Sequence, residues 1–243
     1  MTTEKTLPSS LKPDRARAPY GYDDLRRLMS IMTGDEKHSA SATSTLDVLW
    51  VLYDRVLRID PAHPDDDARD RFLLSKGHGP MAYYAVLAAK GFIDEAVLAT
   101  WVRYDSILGL HPDRNLIPGV EISSGSLGHG LPLAVGRALA LRARGLTGPR
   151  VYCLVGDAEL DEGSNHEAIV VAARMGLDAL TVIVIDNQSS SLGWPGGIER
   201  RFSLEGWPAT TIDGRDHRAI EQALTAPAAR APRAVVAVVE AKA

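Results

Sequence analysis

Cysteine is almost absent from this chain of 243 residues, which contains only Cys153. A disulfide within the chain is therefore excluded, and a single cysteine inside an apolar segment indicates a reducing compartment. The sequence also lacks any apolar run near the roughly 20 residues that a membrane helix needs. No apolar stretch of the kind found in signal peptides follows the first Lys, Arg and Pro residues. These absences predict a cytoplasmic protein with no membrane partner.

Neither sign of charge dominates the composition. The formal net charge is −4, which gives no support for a nucleic-acid-binding surface, so we expect no nucleic-acid partner. Hydrophobic residues make up 45%, as in ordinary globular proteins, and the length suffices for one large core. We predict one binding domain over residues 21–243, preceded by a disordered N-terminal tail over residues 1–20.

Two apolar runs that end in oxygen-bearing side chains carry the most information. The run VYCLVG ends at Asp157, and the run LTVIVID ends at Asn187. Runs of this kind are typical of buried strands in a parallel sheet, with residues 164–175 between them as the crossover helix. The pattern therefore predicts an α/β fold: a doubly wound, mostly parallel sheet with helices on both faces.

The remaining pattern predicts further elements around these strands. Helices are predicted over 22–33, 44–58, 80–90, 94–104, 127–143 and 217–225, and strands over 72–74, 209–213 and 234–240. Capping-box patterns at Ser44 and Ser164 predict helix starts there. The helix over 127–143 has almost no polar face, which predicts burial on every side, partly by the sheet and partly by another chain. Residues 105–125 have many turn formers and are predicted to form a long functional loop.

Asp157 and Asn187 are the first candidate site. Ligands of an open α/β sheet bind beyond the carboxyl ends of its strands, so we expect both side chains to face one crevice. Their oxygens suit Mg²⁺ or Ca²⁺, and Mg²⁺ typically uses one or two carboxylates together with substrate phosphates. The pair therefore suggests a metal-bridged diphosphate, although Asp at a strand end is also common as a helix cap or turn former.

The same segments resemble a known family. A Gly-Asp start followed about thirty residues later by Asn is similar to the thiamine-diphosphate fingerprint, and GDAELDEGSNHEA with DNQSSSLG resembles its transketolase version. Four further segments agree in order: KHSAS at 37–41, SKGHGPMAYY at 75–84, LHPD at 110–113 and SSGSLGHGLPLAVG at 123–136. The chain thus resembles the N-terminal, diphosphate-binding (PP-type) half of transketolase.

This resemblance implies thiamine diphosphate as cofactor and Mg²⁺ as metal, with Ca²⁺ or Mn²⁺ as substitutes. The implied metal ligands are Asp157, Asn187 and the backbone carbonyl of Ser189. The implied cofactor-binding residues are His78, Gly125, Ser126, Leu127, Gly156, Asp157, Ala158, Glu159, Asn187 and Ser191. Two of these depart from the family pattern, because Ala158 replaces a glycine and Ser191 replaces an apolar residue.

The resemblance also implies a catalytic set of His38, His78, His111 and Glu162. His38 and His111 match histidines of the substrate channel, His78 matches one at the diphosphate, and Glu162 matches an interface residue that relays protons between cofactors. Two of these have a simpler reading from the residues alone: Glu162 as a helix-start acid, His78 as a surface-turn histidine. The sequence around His38 departs from the family context. Residues 125–128 fit an anion site or a helix-packing device equally well.

The resemblance further implies a second chain. Transketolases continue into a pyrimidine-binding domain, which supplies the glutamate that activates the aminopyrimidine and most arginines that bind sugar phosphates. We therefore expect a separate C-terminal subunit with that domain, in an α₂β₂ assembly. The expected reaction moves a two-carbon ketol unit from a ketose to an aldose, as free sugars or sugar phosphates. The alternatives are another thiamine-diphosphate acyloin-type transfer, in specialised metabolism, and an inactive scaffold subunit.

Overall fold

A parallel five-stranded sheet forms the centre of the protein. The computed structural model describes residues 20–33, 39–227 and 230–239, and within these the strand order is β1-β2-β3-β5-β4. The strands are β1 (Arg71–Leu74), β2 (Val151–Gly156), β3 (Leu180–Asp186), β4 (Ala209–Asp213) and β5 (Arg233–Val238). The predicted parallel α/β sheet is therefore confirmed.

The strands β2, β3 and β5 are buried on both faces, which explains why their sequences are almost continuously apolar, whereas the edge strand β4 is partly exposed. Successive side chains of a strand point to opposite faces. Leu154 of β2 and its neighbour Ile183 of β3 belong to one core, whereas Cys153 and its neighbour Val182 belong to the other. Every position of β2 is buried, so no polar alternation could develop in its sequence.

Eight α-helices within the described residues cover the two faces. They are α1 (Leu25–Ile31), α2 (Ser39–Val51), α3 (Met81–Ala89), α4 (Glu95–Leu98), α5 (Gly130–Ala143), α6 (Gly163–Arg174), α7 (Ile198–Ser203) and α8 (His217–Thr225). The first core packs α1 to α3 and α8 against the sheet, and the second core packs α5 to α7. None of these helices combines the length and the apolar character that crossing a membrane requires.

Three helix boundaries differ from the sequence predictions. The second helix begins at Ser39, so Ser44 is buried inside it and does not cap it, and the helix continues into a π-helical turn at Leu52–Val56. The helix predicted over 94–104 is one turn, capped by Asp94. Helix α6 starts at Gly163, before the predicted Ser164 cap, because the Ser164 hydroxyl donates to the Gly128 carbonyl instead. A tertiary contact has replaced the local capping bond.

Within this chain helix α5 is buried on one side, and the cover of its other side by a second chain stays a prediction. Leu131, Ala134 and Leu141 are buried against the sheet, but Leu133 is 51% exposed on the opposite side. Val171 on the neighbouring helix α6 is 43% exposed, and Met175, directly after that helix, is 47% exposed. The unusual apolar character of α5 therefore extends beyond what the core of this chain uses. The predicted tail over residues 1–20 lies almost wholly outside the described residues.

Candidate functional site

The carboxyl ends of β2 and β3 bring Asp157 and the Asn187 segment together. The two strands are parallel neighbours in register from Val151 with Leu180 to Gly156 with Ile185. The Asp157 amide continues this ladder by donating to the Ile185 carbonyl at 3.0 Å. Because adjacent parallel strands end at the same edge of the sheet, the two segments, thirty positions apart in sequence, meet at the crevice beyond that edge.

The Asp157 carboxylate organises the loop that follows β3. It is 1% exposed and accepts hydrogen bonds from Ser189 N at 2.6 Å, Ser189 Oγ at 2.5 Å and Ser190 N at 3.0 Å. Gln188 adopts φ +60°, a left-handed conformation that is uncommon for a non-glycine residue and turns the chain back towards Asp157. Ser189 and Ser190 therefore lie directly against Asp157, and Asn187 precedes Ser189 by two residues in the same loop.

Two buried oxygens near this edge accept and donate no hydrogen bond within the described part of the chain. They are Asn187 Oδ1 and Ser124 Oγ. A buried polar atom without a partner costs about 1–3 kcal/mol, so such atoms usually mark a bound ligand, ion or water. The Asn187 oxygen is a hard ligand beside a carboxylate, which fits a Mg²⁺–diphosphate group. Among the described residues, no three His, Cys, Asp or Glu side chains form a metal site by themselves, so phosphate oxygens would have to complete the coordination.

Glu159 joins three loops at the rim of the crevice. Its carboxylate is 1% exposed and accepts bonds from the Ser75 hydroxyl, the Gly128 amide at 2.9 Å and the Gly156 amide at 3.2 Å. Burial raises the pKa of Glu159 above its usual range, although these three bonds act in the opposite direction. The side chain thus fixes the loop after β1 and the loop before α5 relative to the end of β2.

Lys76 is a charged residue of the crevice that the sequence analysis missed. It is 9% exposed, and its side chain runs beside Gly156, where an added Cβ would lie 3.3 Å from Lys76 Cδ. Burial lowers the pKa of Lys76 to about 8, while the Asp157 and Glu159 carboxylates raise it. The sequence signal that could have indicated Lys76 was its position inside the SKGHG segment at 75–79.

The structure describes His78 and His111 of the three predicted histidines. The His78 and His111 rings lie with their centroids 5.7 Å apart, so two of the three predicted histidines are together. The His111 ring packs against Gly125, which has φ +124° and whose added Cβ would lie 2.9 Å from His111 Cγ. Only glycine therefore fits at 125. His38 lies outside the described residues.

The loop before α5 carries the other predicted contacts and borders Glu162. Ser126 and Leu127 are exposed, while Gly128 is buried with φ +82°. An added Cβ at Gly128 would lie 2.7 Å from Glu162 Cβ, and Glu162 itself is exposed at the start of α6. These residues line the rim and do not enter the core.

The two departures from the family pattern fit the backbone found here. Ala158 opens a 3₁₀ turn over Ala158–Asp161, and its φ is negative, so no glycine is needed for the conformation. Ser191 is exposed at the outer end of the loop after β3. Next to it, the Ser190 hydroxyl lies 3.3 Å from both oxygens of Asp161, a contact that the sequence did not indicate.

Comparison with known proteins identifies the family. Residues 26–241 match the model of the transketolase thiamine-diphosphate-binding domain. A relative from Rhodococcoides fascians named ferredoxin fas2 is 59% identical over 220 residues, which cover 90% of this chain and 72% of the relative. One subunit of the apulose-4-phosphate transketolase from Actinobacillus succinogenes is 37% identical, over 85% and 81% of the two chains. The 6-deoxy-6-sulfo-D-fructose transketolase subunit SqwG from a Clostridium species is 36% identical, over 76% and 71%.

Solved structures agree with this assignment. Transketolase from Campylobacter jejuni superposes with a TM-score of 0.72 at 26% identity, over 90% of this chain and 38% of that one. The H261F mutant of Pichia stipitis transketolase superposes with a TM-score of 0.77 at 22% identity, which shows the common fold, over 90% and 36%. The chain thus spans little more than a third of the length of these solved transketolases. The chain belongs to the transketolase family, and its residues 26–241 form the thiamine-diphosphate-binding domain.

Proposed function

We propose that this chain is the diphosphate-binding subunit of a two-chain transketolase, which transfers a two-carbon ketol unit from a ketose to an aldose. The observation that carries the proposal lies at the ends of β2 and β3, where the Asp157 carboxylate holds the Ser189 segment and the Asn187 oxygen of the same loop has no partner among the described residues. Two relatives of this chain are named as subunits of transketolases that act on unusual sugars. This supports a division of the enzyme into separate chains.

In this proposal, Mg²⁺ is held by the Asp157 carboxylate, the Asn187 side-chain oxygen and the Ser189 backbone carbonyl, with Ca²⁺ or Mn²⁺ as substitutes. One carboxylate is enough when diphosphate oxygens complete the coordination. The Asp157 side chain already holds the Ser189 segment by two bonds, which supports a loop that is ordered before any metal binds. This pre-ordering is the role that the protein part of a cofactor site plays.

The cofactor would be bound along the rim of the same crevice. Thiamine diphosphate, when bound, supplies the nucleophilic carbon that carries the two-carbon unit. Its diphosphate would be held near the metal and His78, and the remaining contacts come from Gly125, Ser126, Leu127, Gly156, Ala158, Glu159, Asn187 and Ser191. Glu159 acts here through its hydrogen bonds to the Gly128 and Gly156 amides, which fix the rim.

The substrate would enter beside the paired histidines. His111 lies beside His78, and the nitrogen-bearing His111 ring can hydrogen-bond the hydroxyl groups of a sugar, while His78 would hold the diphosphate. His38 completes this set in the proposal. The substrate class is a ketose donor and an aldose acceptor, as free sugars or sugar phosphates. The named substrates of the two subunit relatives support sugars of specialised metabolism.

The proposed partner is a separate C-terminal subunit that carries the pyrimidine-binding domain, in an α₂β₂ heterotetramer. The exposed apolar residues Leu133 on α5, Val171 on α6 and Met175 directly after α6 support a large protein contact on this side. Glu162 lies exposed at the start of α6 and would join the same interface. There we assign it the relay of protons between two cofactors.

An electron-transfer role, suggested by the name of the Rhodococcoides relative, is not part of the proposal. Plant-type and bacterial ferredoxin clusters are held by four cysteine thiolates. These 243 residues contain one cysteine, Cys153, which is buried within β2. Any cluster would need ligands from other chain segments.

The proposal is tested by measuring two-carbon transfer with the chain co-purified with its partner subunit. Donors would include apulose 4-phosphate and 6-deoxy-6-sulfo-D-fructose, and each chain would be assayed alone and together, with and without thiamine diphosphate and Mg²⁺. We expect activity only with both chains, cofactor and metal. A partner that is fully active without this chain would establish the scaffold alternative. Cofactor-dependent release of carbon dioxide without ketol transfer would establish a different thiamine-diphosphate reaction.

A further inference from the structure

A cleft at the amino edge of the sheet has the chemistry of a second binding site. It encloses about 530 Å³ between the segment before β1, the loop at 114–121 and the C-terminal half of α5. Arg71 opens β1 at this edge, whereas Asp157 and Asn187 lie beyond the opposite, carboxyl ends of the strands. The cleft is therefore separate from the proposed cofactor site.

Arginine dominates the lining of the cleft. Its basic residues are Arg69, Arg71, Arg114, Arg137 and Arg144. Its carboxylates are Asp65, Asp67 and Glu121. The five guanidinium groups thus exceed the carboxylates by two positive charges, although the whole chain has a formal net charge of −4. Positive charge is concentrated in one concave place on an acidic protein, where the field of grouped charges is strongest.

A single buried carboxylate has to compensate three of these arginines. Glu121 is 5% exposed and forms ion pairs with Arg69, with Arg137 Nη2 at 3.2 Å and, more distantly, with Arg71 Nε at 3.8 Å. The pKa of Arg71 is lowered, first by burial and then by the Arg69 charge, which Glu121 opposes only in part. At the base of the cleft one buried carboxylate is thus shared by three guanidinium groups, and the exposed Asp67 lies 3.9 Å from Arg71.

Several guanidinium donors in the cleft remain available. Arg69 Nε is buried and donates to no atom of the described residues. Arg114 is exposed, and its guanidinium makes no hydrogen bond or ion pair with any residue that the structure describes. Arg137 is 37% exposed at its side chain and uses one of its nitrogens on Glu121. Arg144, by contrast, is occupied by Asp67 through two bonds of 2.5 and 3.1 Å.

We propose that this arginine cleft binds a small oxyanion with two or more negative charges, held by Arg114 and Arg137 at its mouth and Arg69 deeper inside. Guanidinium groups donate pairs of parallel N–H bonds that match the spacing of phosphate and carboxylate oxygens. The ligand chemistry is shared by phosphorylated metabolites and polycarboxylates. The excess of two charges matches a divalent anion. The site is independent of the cofactor and substrate proposed above.

The test is calorimetric titration of inorganic pyrophosphate, and separately citrate, into the full chain at constant ionic strength with EDTA present. We expect saturable binding, weakened about tenfold by Arg114→Gln and by Arg137→Gln. Both side chains are exposed enough that the variants should melt at the temperature of the unchanged chain. Arg103→Gln, an exposed arginine outside the cleft, is the matched control and should bind normally. Stronger binding of pyrophosphate than citrate would identify a phosphate ligand, and the reverse a polycarboxylate.

Two results would overturn the proposal. Absence of saturable binding of either anion up to about 10 mM, well above the range of specific small-ligand sites, would show that the arginines serve another purpose, such as contact with an acidic protein surface. Binding lost in Asp157→Asn but unchanged in Arg114→Gln and Arg137→Gln would assign the anion to the opposite end of the sheet. Either outcome removes the arginine cleft as a small-anion site.

Discussion

The Ser189 amide donates to Asp157 Oδ2 at 2.6 Å, and this bond ties the loop after β3 to the end of β2. The Ser189 hydroxyl and the Ser190 amide donate to the same carboxylate. The residue that we propose as the charged metal ligand therefore also shapes the loop that supplies the other two ligands. Changes at Asp157 should affect both loop order and metal binding, and the predictions below separate these effects.

Asp157→Asn removes the charge but keeps one oxygen that can accept from the loop. We expect affinity of the co-purified pair for Mg²⁺ and thiamine diphosphate to fall on the order of 100-fold or more, by calorimetry. The free energy of unfolding should fall by about 1–3 kcal/mol, because one buried loop donor loses its acceptor. Asp161→Asn is the control, since among the described residues the Asp161 carboxylate accepts only the long Ser190 contacts. Unchanged cofactor affinity in Asp157→Asn would refute the metal assignment.

Asn187→Ala removes the oxygen that has no partner in the described structure. We expect the free energy of unfolding of the cofactor-free chain to stay within about 0.5 kcal/mol, because no hydrogen bond is lost. Cofactor affinity with Mg²⁺ should nevertheless fall roughly 10- to 100-fold. Gln188→Ala is the control, because it keeps the same left-handed backbone position and should leave affinity unchanged. If Asn187→Ala instead unfolds the chain and spares affinity, the oxygen is structural.

Lys76→Met tests the charge buried in the crevice through the pH dependence of stability. The folded pKa of Lys76 is about 8, below its usual value of 10.5, so the unfolded chain binds more protons between these values. The free energy of unfolding of the unchanged chain, relative to that of the Lys76→Met variant, should therefore rise by up to about 3 kcal/mol as the pH increases from about 8 to 10.5. The measurement is urea unfolding of both metal-free chains across this range. A constant difference would show that Lys76 titrates normally.

Gly125→Ala should damage the site through His111. The added methyl group would lie 2.9 Å from His111 Cγ, and φ +124° is strained for alanine. We expect a loss of roughly 2–4 kcal/mol in the free energy of unfolding and a displaced His111 resonance in NMR spectra. Gly136→Ala is the matched control, because its added Cβ meets nothing within 4 Å inside helix α5. That change should stabilise the chain by about 0.5–1 kcal/mol. Equal effects of the two substitutions would contradict the close packing at His111.

Leu133→Glu tests the exposed apolar side of α5. If the partner subunit or a second copy covers this side, a buried charge should weaken assembly by more than about 2 kcal/mol. Light scattering coupled to gel filtration should then show the wild-type pair at the mass of α₂β₂ and the variant at a smaller mass. Leu204→Glu is the control, since Leu204 is 69% exposed outside α5 and α6. An unchanged mass in Leu133→Glu would exclude this side from the interface.

The order of apolar runs was enough to predict the parallel sheet and the common edge at which β2 and β3 end. A strand buried on both faces needs apolar residues at every position, so β2 and β3 are visible in the sequence. Parallel neighbours end at one edge, so their terminal side chains must converge. Helix α7 was not predicted, because its six residues contain few apolar positions and only Phe202 is buried.

What the sequence determined by itself is therefore the type of sheet, the family and the residues that gather at its carboxyl edge. Only the tertiary structure showed which hydrogen bonds those residues make. The Ser164 hydroxyl bonds to Gly128 and does not cap its own helix, and the Glu159 carboxylate is turned into the rim to hold the Gly128 and Gly156 amides. The arginine cleft also assembles segments from three parts of the chain. Periodicity and strand ends are local properties of a sequence, whereas a hydrogen-bond partner depends on which distant donor the packed fold brings within reach.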